Sequence, residues 1–347
     1  MNKHSEYEKM PKNLKGLDLT EKQQQDLNKL KWVVTEKIHG ANFSFVYENR
    51  QLLYAKRKEY LQWSDDFFGF QSVAATMEDR MFPLFEQLQQ DFPASRFIVY
   101  GELLGGFYPH GGVKPDPCVQ AIQTGVYYSP TIQFCAFDIA VESEEDGAKL
   151  YLDYDLAISY FERYGIFYAK SLLTGKLNEV LNFDIRINST IPAALGLPAI
   201  TGDNLIEGVV IKPLQHAKLA DIGTRPILKL KNPEFDEEKK FHEAEKWSFI
   251  PDVTTKSEEL SFILDEMLNY INGNRLNSAI SKIGQPDPFN QTRAAEIRKE
   301  FMEDLLYDFN ENNGNILSDL DSSKISWLRN RIEVRIAEFI AGHNKHR

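Results

Sequence analysis

The chain has 347 residues, 42% of them hydrophobic and 26% charged, with a formal net charge of −11, the proportions of a globular protein with room for two or three domains. Its only cysteines, Cys118 and Cys135, exclude a disulfide framework and a four-thiolate zinc module. The acidic balance is the wrong sign for coating nucleic acid without selectivity, so a nucleic-acid partner requires a local basic groove.

The start, Met1 to Glu8, lacks the apolar core of a signal peptide, and no apolar run is long enough to span a bilayer. A soluble, cytoplasmic protein with no membrane partner is expected, and a monomer, since every strong apolar stripe can be buried within the chain. Residues 1–30 are polar and read as a short lead-in helix. Val33 to Tyr47 and Leu52 to Lys56 alternate as strands, separated by the turn Glu48-Asn49-Arg50. Inside the first run lies Glu36-Lys37-Ile38-His39-Gly40-Ala41-Asn42. Lys37 is flanked by Trp32-Val33-Val34 and Phe43-Phe45-Val46, where desolvation favours a neutral, nucleophilic amine. Arg57 follows in a charged run.

Val73, Met77, Met81, Leu84, Phe85 and Leu88 give helical spacing over Ser72 to Asp91. Arg96 to Gly106 is a strand ending at Glu102, a carboxylate beside glycines. The Pro- and Gly-containing stretch from Phe107 to Ser129 is a surface loop that can face a substrate. Ile132 to Ala140 is a strand carrying Phe137-Asp138, and Asp155 to Tyr164 is helical; residues 170–200 follow no single pattern. Two strands come next. Glu207-Gly208-Val209-Val210-Ile211-Lys212-Pro213 has a carboxylate and a lysine at its ends. In Ile227-Leu228-Lys229-Leu230-Lys231-Asn232 the period of two puts Lys229 and Lys231 on one face, a pair suited to polyphosphate. Glu237 to Glu243 reads as a charged linker. Beyond about residue 250 three helical stripes follow: Leu260 to Ile271, Ile297 to Leu306, and Ile325 to Ile340. The polar stretch Asn272 to Gly284 between the first two suits phosphate contacts or a helix cap and loop.

Taken in order, Glu36-Lys37-Ile38-His39-Gly40, Tyr100-Gly101-Glu102, Phe137-Asp138, Glu207 to Pro213 and Lys229-Leu230-Lys231-Asn232 resemble the phage-type RNA ligase 2 family of the covalent nucleotidyltransferases, which includes the kinetoplastid RNA-editing ligases. Asn274-Arg275-Leu276-Asn277 and Ile280 to Gly284 are similar to the family's C-terminal domain. The resemblance implies an α+β fold: a nucleotidyltransferase (ATP-grasp-like ligase) domain of antiparallel sheets and helices over 1–243, and an all-helical RNA-binding domain over 244–347.

It also implies the roles. Lys37 would attack ATP to form lysyl-AMP, aided by Lys212, Lys229 and Lys231, whose charges would disfavour its ammonium form. Arg57 would hold phosphate, Glu102 the ribose, Phe137 would stack on adenine, and Glu36 would line the base pocket. His39 and Asn42 would sit by the phosphates, with Glu207 beside Mg²⁺ or Mn²⁺. Arg275 and Lys282 would contact RNA phosphates. The implied activity is ATP-dependent joining of 3′-OH and 5′-phosphate RNA ends, in nicked duplex RNA or an RNA/DNA hybrid. A capping-type guanylyltransferase and a non-catalytic RNA binder on a ligase fold are the alternatives.

Overall fold

The computed structural model describes residues 4–17, 19–143, 148–215, 225–235, 256–287 and 290–343. By its contacts the chain divides into two compact units, residues 1–234 and 235–347. The expected linker Glu237 to Glu243, and with it the boundary at 243/244, lies outside the described residues.

The first unit opens with α1 (Glu21–Lys29), whose first turn is closed by a reciprocal cap: the Gln23 N–H donates to the Thr20 hydroxyl, and the Thr20 N–H to the Gln23 side chain. Strand β1 (Lys31–Glu36) follows, then β2 (Ala41–Glu48) and β3 (Gln51–Lys56). Asn49 and Arg50, with φ of 51° and 61°, form the turn between β2 and β3, the mirror-image geometry that suits a two-residue hairpin.

The single long strand expected over Val33 to Tyr47 is two strands in two different sheets. Period-two alternation fits either arrangement; the break at residues 37–40 is set by a distant contact. A Cβ on Gly40 would lie 2.1 Å from the Leu103 carbonyl oxygen, so only glycine lets the chain pass there.

The short β4 (Tyr60–Leu61) leads to α2 (Phe70–Asp91). Next come β5 (Arg96–Phe107), β6 (Ser129–Glu142), β7 (Lys149–Tyr151) and α3 (Tyr154–Arg163). The patternless stretch 170–200 contains β8 (Ser171–Lys176), α4 (Leu177–Leu181) and α5 (Ile191–Ala194). Strands β9 (Gly208–Pro213) and β10 (Leu228–Lys231) complete the unit. All strand pairings within the sheets are antiparallel. One sheet runs β10-β9-β1-β8, the other β4-β3-β2-β5-β6-β7.

Each sheet has a closed outer face. In the six-stranded sheet Phe43, Phe45, Val99 and Ile139 pack against Met77, Met81, Leu84, Phe85 and Leu88 of α2. In the four-stranded sheet Trp32, Val34, Val209, Ile211 and Leu228 pack with Leu27 of α1 and Val180 of α4. The alternate positions pack together as a third cluster, with Val46, Ile98, Tyr100 and Ala140 on one side and Val210 and Ile227 on the other. The two sheets thus face each other, and side chains of β1, β9 and β10 that point away from α1 look toward the second sheet.

In the second unit, α6 (Lys256–Leu268), α7 (Gly273–Ile283), α8 (Gln291–Asn312) and α9 (Ser322–His343) bury Ile263, Met267, Leu276, Ile280, Ile297, Phe301, Leu305, Leu328, Ile332 and Ile336. The polar stretch 272–284 is α7, started by Asn272, whose side chain accepts the Arg275 N–H at 3.1 Å. Among the described residues no helix is long and apolar enough to cross a membrane.

Candidate active site

Lys37 stands where the chain leaves the first sheet for the second, its N–H donating to the Gly208 carbonyl at 2.9 Å. Its Nζ lies 2.7 Å from Oε2 of Glu207, the residue that leads into β9. The same oxygen is 3.2 Å from His39 Nδ1, and Glu207 Oε1 is 3.0 Å from Lys231 Nζ. Burial opposes ionisation of Glu207, but Lys37, Lys231 and His39 together outweigh it and hold the carboxyl well below its ordinary range. The Glu207 backbone is fixed in turn, its carbonyl taking the Asn232 N–H at 2.8 Å. Lys229 shares the inward face of β10 with Lys231, because Leu228 and Leu230 belong to the opposite, buried face.

His39 is held by two residues that the sequence did not single out. Its N–H donates to the Tyr128 hydroxyl at 2.9 Å, and its Nε2 lies 3.1 Å from the Thr124 carbonyl oxygen. Both partners come from the end of the 107–129 loop. No local pattern marks Tyr128, since its partner is 89 residues away.

On the second sheet Asn42 of β2 and Glu102 of β5 are register partners. Burial pushes the Glu102 carboxyl up to about 8, with Lys37 and Arg57 opposing and Glu207 adding to the rise. Arg57, half-buried just after β3, is therefore within electrostatic reach of Glu102, and it has no ion-pair partner among the described residues. Glu36 is pushed up to about 7 by burial, against hydrogen bonds from Ser189, Thr190 and Tyr128. The Thr190 N–H donates to its Oε2 at 3.2 Å, while Oε1 is buried without a partner among the described residues.

Phe137 is the extra residue of a bulge in β6: Tyr100 pairs with Asp138 and Gly101 with Ala136, which turns Phe137 out of the regular ladder. Its ring meets Tyr7 edge-on at 4.9 Å. Beside it Asp138 is fully buried and accepts from Tyr7 Oη at 2.6 Å, Lys212 Nζ at 2.7 Å and both terminal nitrogens of Arg225 at 3.1 and 2.9 Å. Burial works against the Asp138 charge, but Arg225 and Lys212 prevail and hold its pKa far below the usual carboxylate range. Lys212 is thereby not one of a trio of cations around Lys37. It is buried, with Nζ on Asp138 and the Phe137 carbonyl, and it braces the Phe137 bulge from behind.

Two further expectations are corrected. Arg275 is fully buried in the helical unit, with Nε on the Tyr270 carbonyl and Nη2 3.0 Å from Asp308 of α8. Lys282 is paired with Glu300 at 3.1 Å and with Asp304. Both cations fasten α7 to α8 and are consumed inside the protein, not presented to an RNA phosphate. The sequence carried a signal: Arg275 lies on the same stripe as Ala279, one turn further on.

A lysine amine held by a carboxylate, with a second lysine on the same carboxylate between two facing antiparallel sheets, is an arrangement that suits nucleotidyl transfer. The RNA ligase family model matches residues 30–231, and the T4 RNA ligase 2 C-terminal model matches residues 254–338. RNA-editing ligase 2, mitochondrial, of Trypanosoma brucei brucei is 30% identical over 329 residues, covering 79% of this chain and 77% of the relative. RNA-editing ligase 1, mitochondrial, of the same organism is 29% identical, covering 80% and 70%. Among solved structures, a Naegleria gruberi RNA ligase with PPi is 15% identical with a TM-score of 0.42; the matched region is 67% of this chain and 57% of that one, too loose a likeness to build on. The chain belongs to the RNA ligase family, in its phage-type RNA ligase 2 branch, and is an ATP-dependent RNA ligase.

Proposed function

We propose that the protein seals 3′-OH and 5′-phosphate RNA ends through three transfers. Lys37 Nζ attacks the α-phosphorus of ATP; the N–P bond forms as the bond to pyrophosphate breaks and the amine loses its proton. The RNA 5′-phosphate then takes AMP from Lys37, and the 3′-hydroxyl finally displaces AMP to close the strand. The observation that carries this reading is the Lys37–Glu207 pair flanked by Lys231. The nucleophile needs the lone pair that this contact occupies, so the pair must open or pass its proton before the N–P bond forms.

The other residues have roles consistent with their positions. Lys229 and Lys231 would offset charge developing on the phosphates, and Arg57 offers a planar fork for the same purpose. Glu102 would meet the ribose, and protonated it can donate as well as accept. Oε1 of Glu36, without a partner among the described residues, would meet an adenine edge, with Phe137 stacking on the base. Among the described residues no group of three or more His, Cys, Asp and Glu could hold a metal ion. One carboxylate completed by phosphate and water oxygens nonetheless suits Mg²⁺ or Mn²⁺, and Glu207 is the residue that would hold it. Such an ion, when bound, would neutralise phosphate charge.

Nicked duplex RNA or an RNA/DNA hybrid is the proposed substrate, with the helical unit as the RNA-gripping half. Deleting residues 250–347 should then leave lysyl-AMP formation and abolish sealing. Incubation with ATP labelled at the α-phosphate tests the first transfer: label should survive denaturation on the wild type and be absent from Lys37→Ala. Failure to label after pyrophosphate stripping would overturn the reading.

A further inference from the structure

Phe107 ends β5 and is 47% exposed. A lone exposed phenylalanine needs no explanation. This one stands on a backbone built to present it. Gly105 and Gly106 turn the strand end with φ of 96° and 89°, and a Cβ on Gly106 would lie 2.1 Å from the Gln120 carbonyl oxygen. The Phe107 ring meets Tyr127 edge-on, centroids 5.7 Å apart. Asn204, itself buried, clamps the Tyr127 backbone from both sides: it accepts the Tyr127 N–H and donates to the Tyr127 carbonyl, each at 2.8 Å.

This aromatic pair is continuous with the catalytic loop. Tyr128, the next residue, accepts the His39 N–H, Thr124 holds the His39 ring, and Gln123 donates to the Gly40 carbonyl at 3.4 Å. The shelf that fixes residues 39 and 40 also carries Phe107 and Tyr127 at its rim. Aromatic side chains presented in this way beside a nucleotidyl-transfer centre match the chemistry of a nucleobase face, which every base offers regardless of sequence.

We propose that Phe107 stacks on a nucleobase next to the RNA ends being joined. The inference rests on the RNA-sealing reading above. The test is a fluorescence titration of nicked RNA duplexes carrying 2-aminopurine on either side of the break, with wild type, Phe107→Ala, Phe107→Leu and Phe107→Trp. Stacking predicts quenching by wild type, loss of quenching with about fivefold or greater weakening of binding in the Ala and Leu variants, and recovery with Trp. Leucine keeps an apolar side chain at the position, so its failure separates stacking from packing. Unchanged binding and quenching in the Leu variant of a protein whose wild type forms lysyl-AMP overturns this inference alone, and leaves Phe107 as a contact for something other than RNA. A wild type that forms no lysyl-AMP overturns the reading beneath it.

Discussion

Lys37 and Glu207 lie 170 positions apart in the chain and meet at 2.7 Å, with the same carboxylate also holding Lys231 and His39. Glu207 is thus in direct contact with all three groups.

Replacing it with glutamine removes the charge while keeping the shape. Glu207→Gln removes the carboxylate that Lys37 and Lys231 share, and breaking a buried pair from one side costs about 3–5 kcal/mol. The expected result is a lower urea midpoint together with loss of lysyl-AMP formation. A variant with wild-type stability would mean that the pair is not held in solution as it is here.

Gly40 is the second point of sensitivity. Gly40→Ala must push the 37–40 segment away from Leu103, because its new methyl would overlap the carbonyl oxygen. A displacement near 1 Å at a nucleophile costs on the order of 100-fold in rate. Single-turnover lysyl-AMP formation measures it, with circular dichroism to show that the sheets persist. A near-normal rate would show that the loop adapts.

The two raised carboxyls make a pH prediction. Glu102 and Glu36 are held protonated up to about 8 and about 7, against 4.5 for an unperturbed glutamate. Between those limits the folded chain binds more protons than the unfolded one, so this contribution to stability falls as pH rises and levels off above about 8. Urea unfolding from pH 5 to 8.5 should show a flatter dependence in Glu102→Gln than in wild type. Parallel curves would place Glu102 in a wetter setting than its packing indicates.

Arg275→Ala separates structure from recognition. With Asp308 left partnerless and the cation gone from the α7–α8 contact, the helical unit should lose roughly 3 kcal/mol. The thermal midpoint measures this. Unchanged stability with weakened RNA binding would instead restore the guanidinium to the RNA surface.

How far the sequence could be read depended on the range of the contact that decides each feature. The stripe Val73, Met77, Met81, Leu84, Phe85 and Leu88 forecast α2 and its buried face because helical spacing is local. The alternation of β10 likewise put Lys229 and Lys231 together. The split of Val33 to Tyr47 into two sheets was hidden, since the Gly40–Leu103 approach that forces it joins residues far apart in sequence. Lys212 was assigned to the phosphates by its place in a motif, and the group that claims it, Asp138, sits on another sheet. Arg275 was assigned to RNA phosphates through the family resemblance; its acidic partner on α8, Asp308, carries no mark in the local pattern. Tyr128, Thr124 and Arg225 reach their partners only through tertiary structure.

Asp138 gathers Tyr7, Lys212 and Arg225 around one buried carboxylate, drawing on four separate stretches of the chain. Such a cluster constrains inheritance as well as folding. Arg225 also donates to Glu8 at 3.1 Å, and the charges of Asp138, Glu8, Lys212 and Arg225 cancel, so a lineage that loses Arg225 alone leaves a net negative charge in this cluster. Among descendants of this chain the charged members of the cluster should therefore be replaced together or not at all.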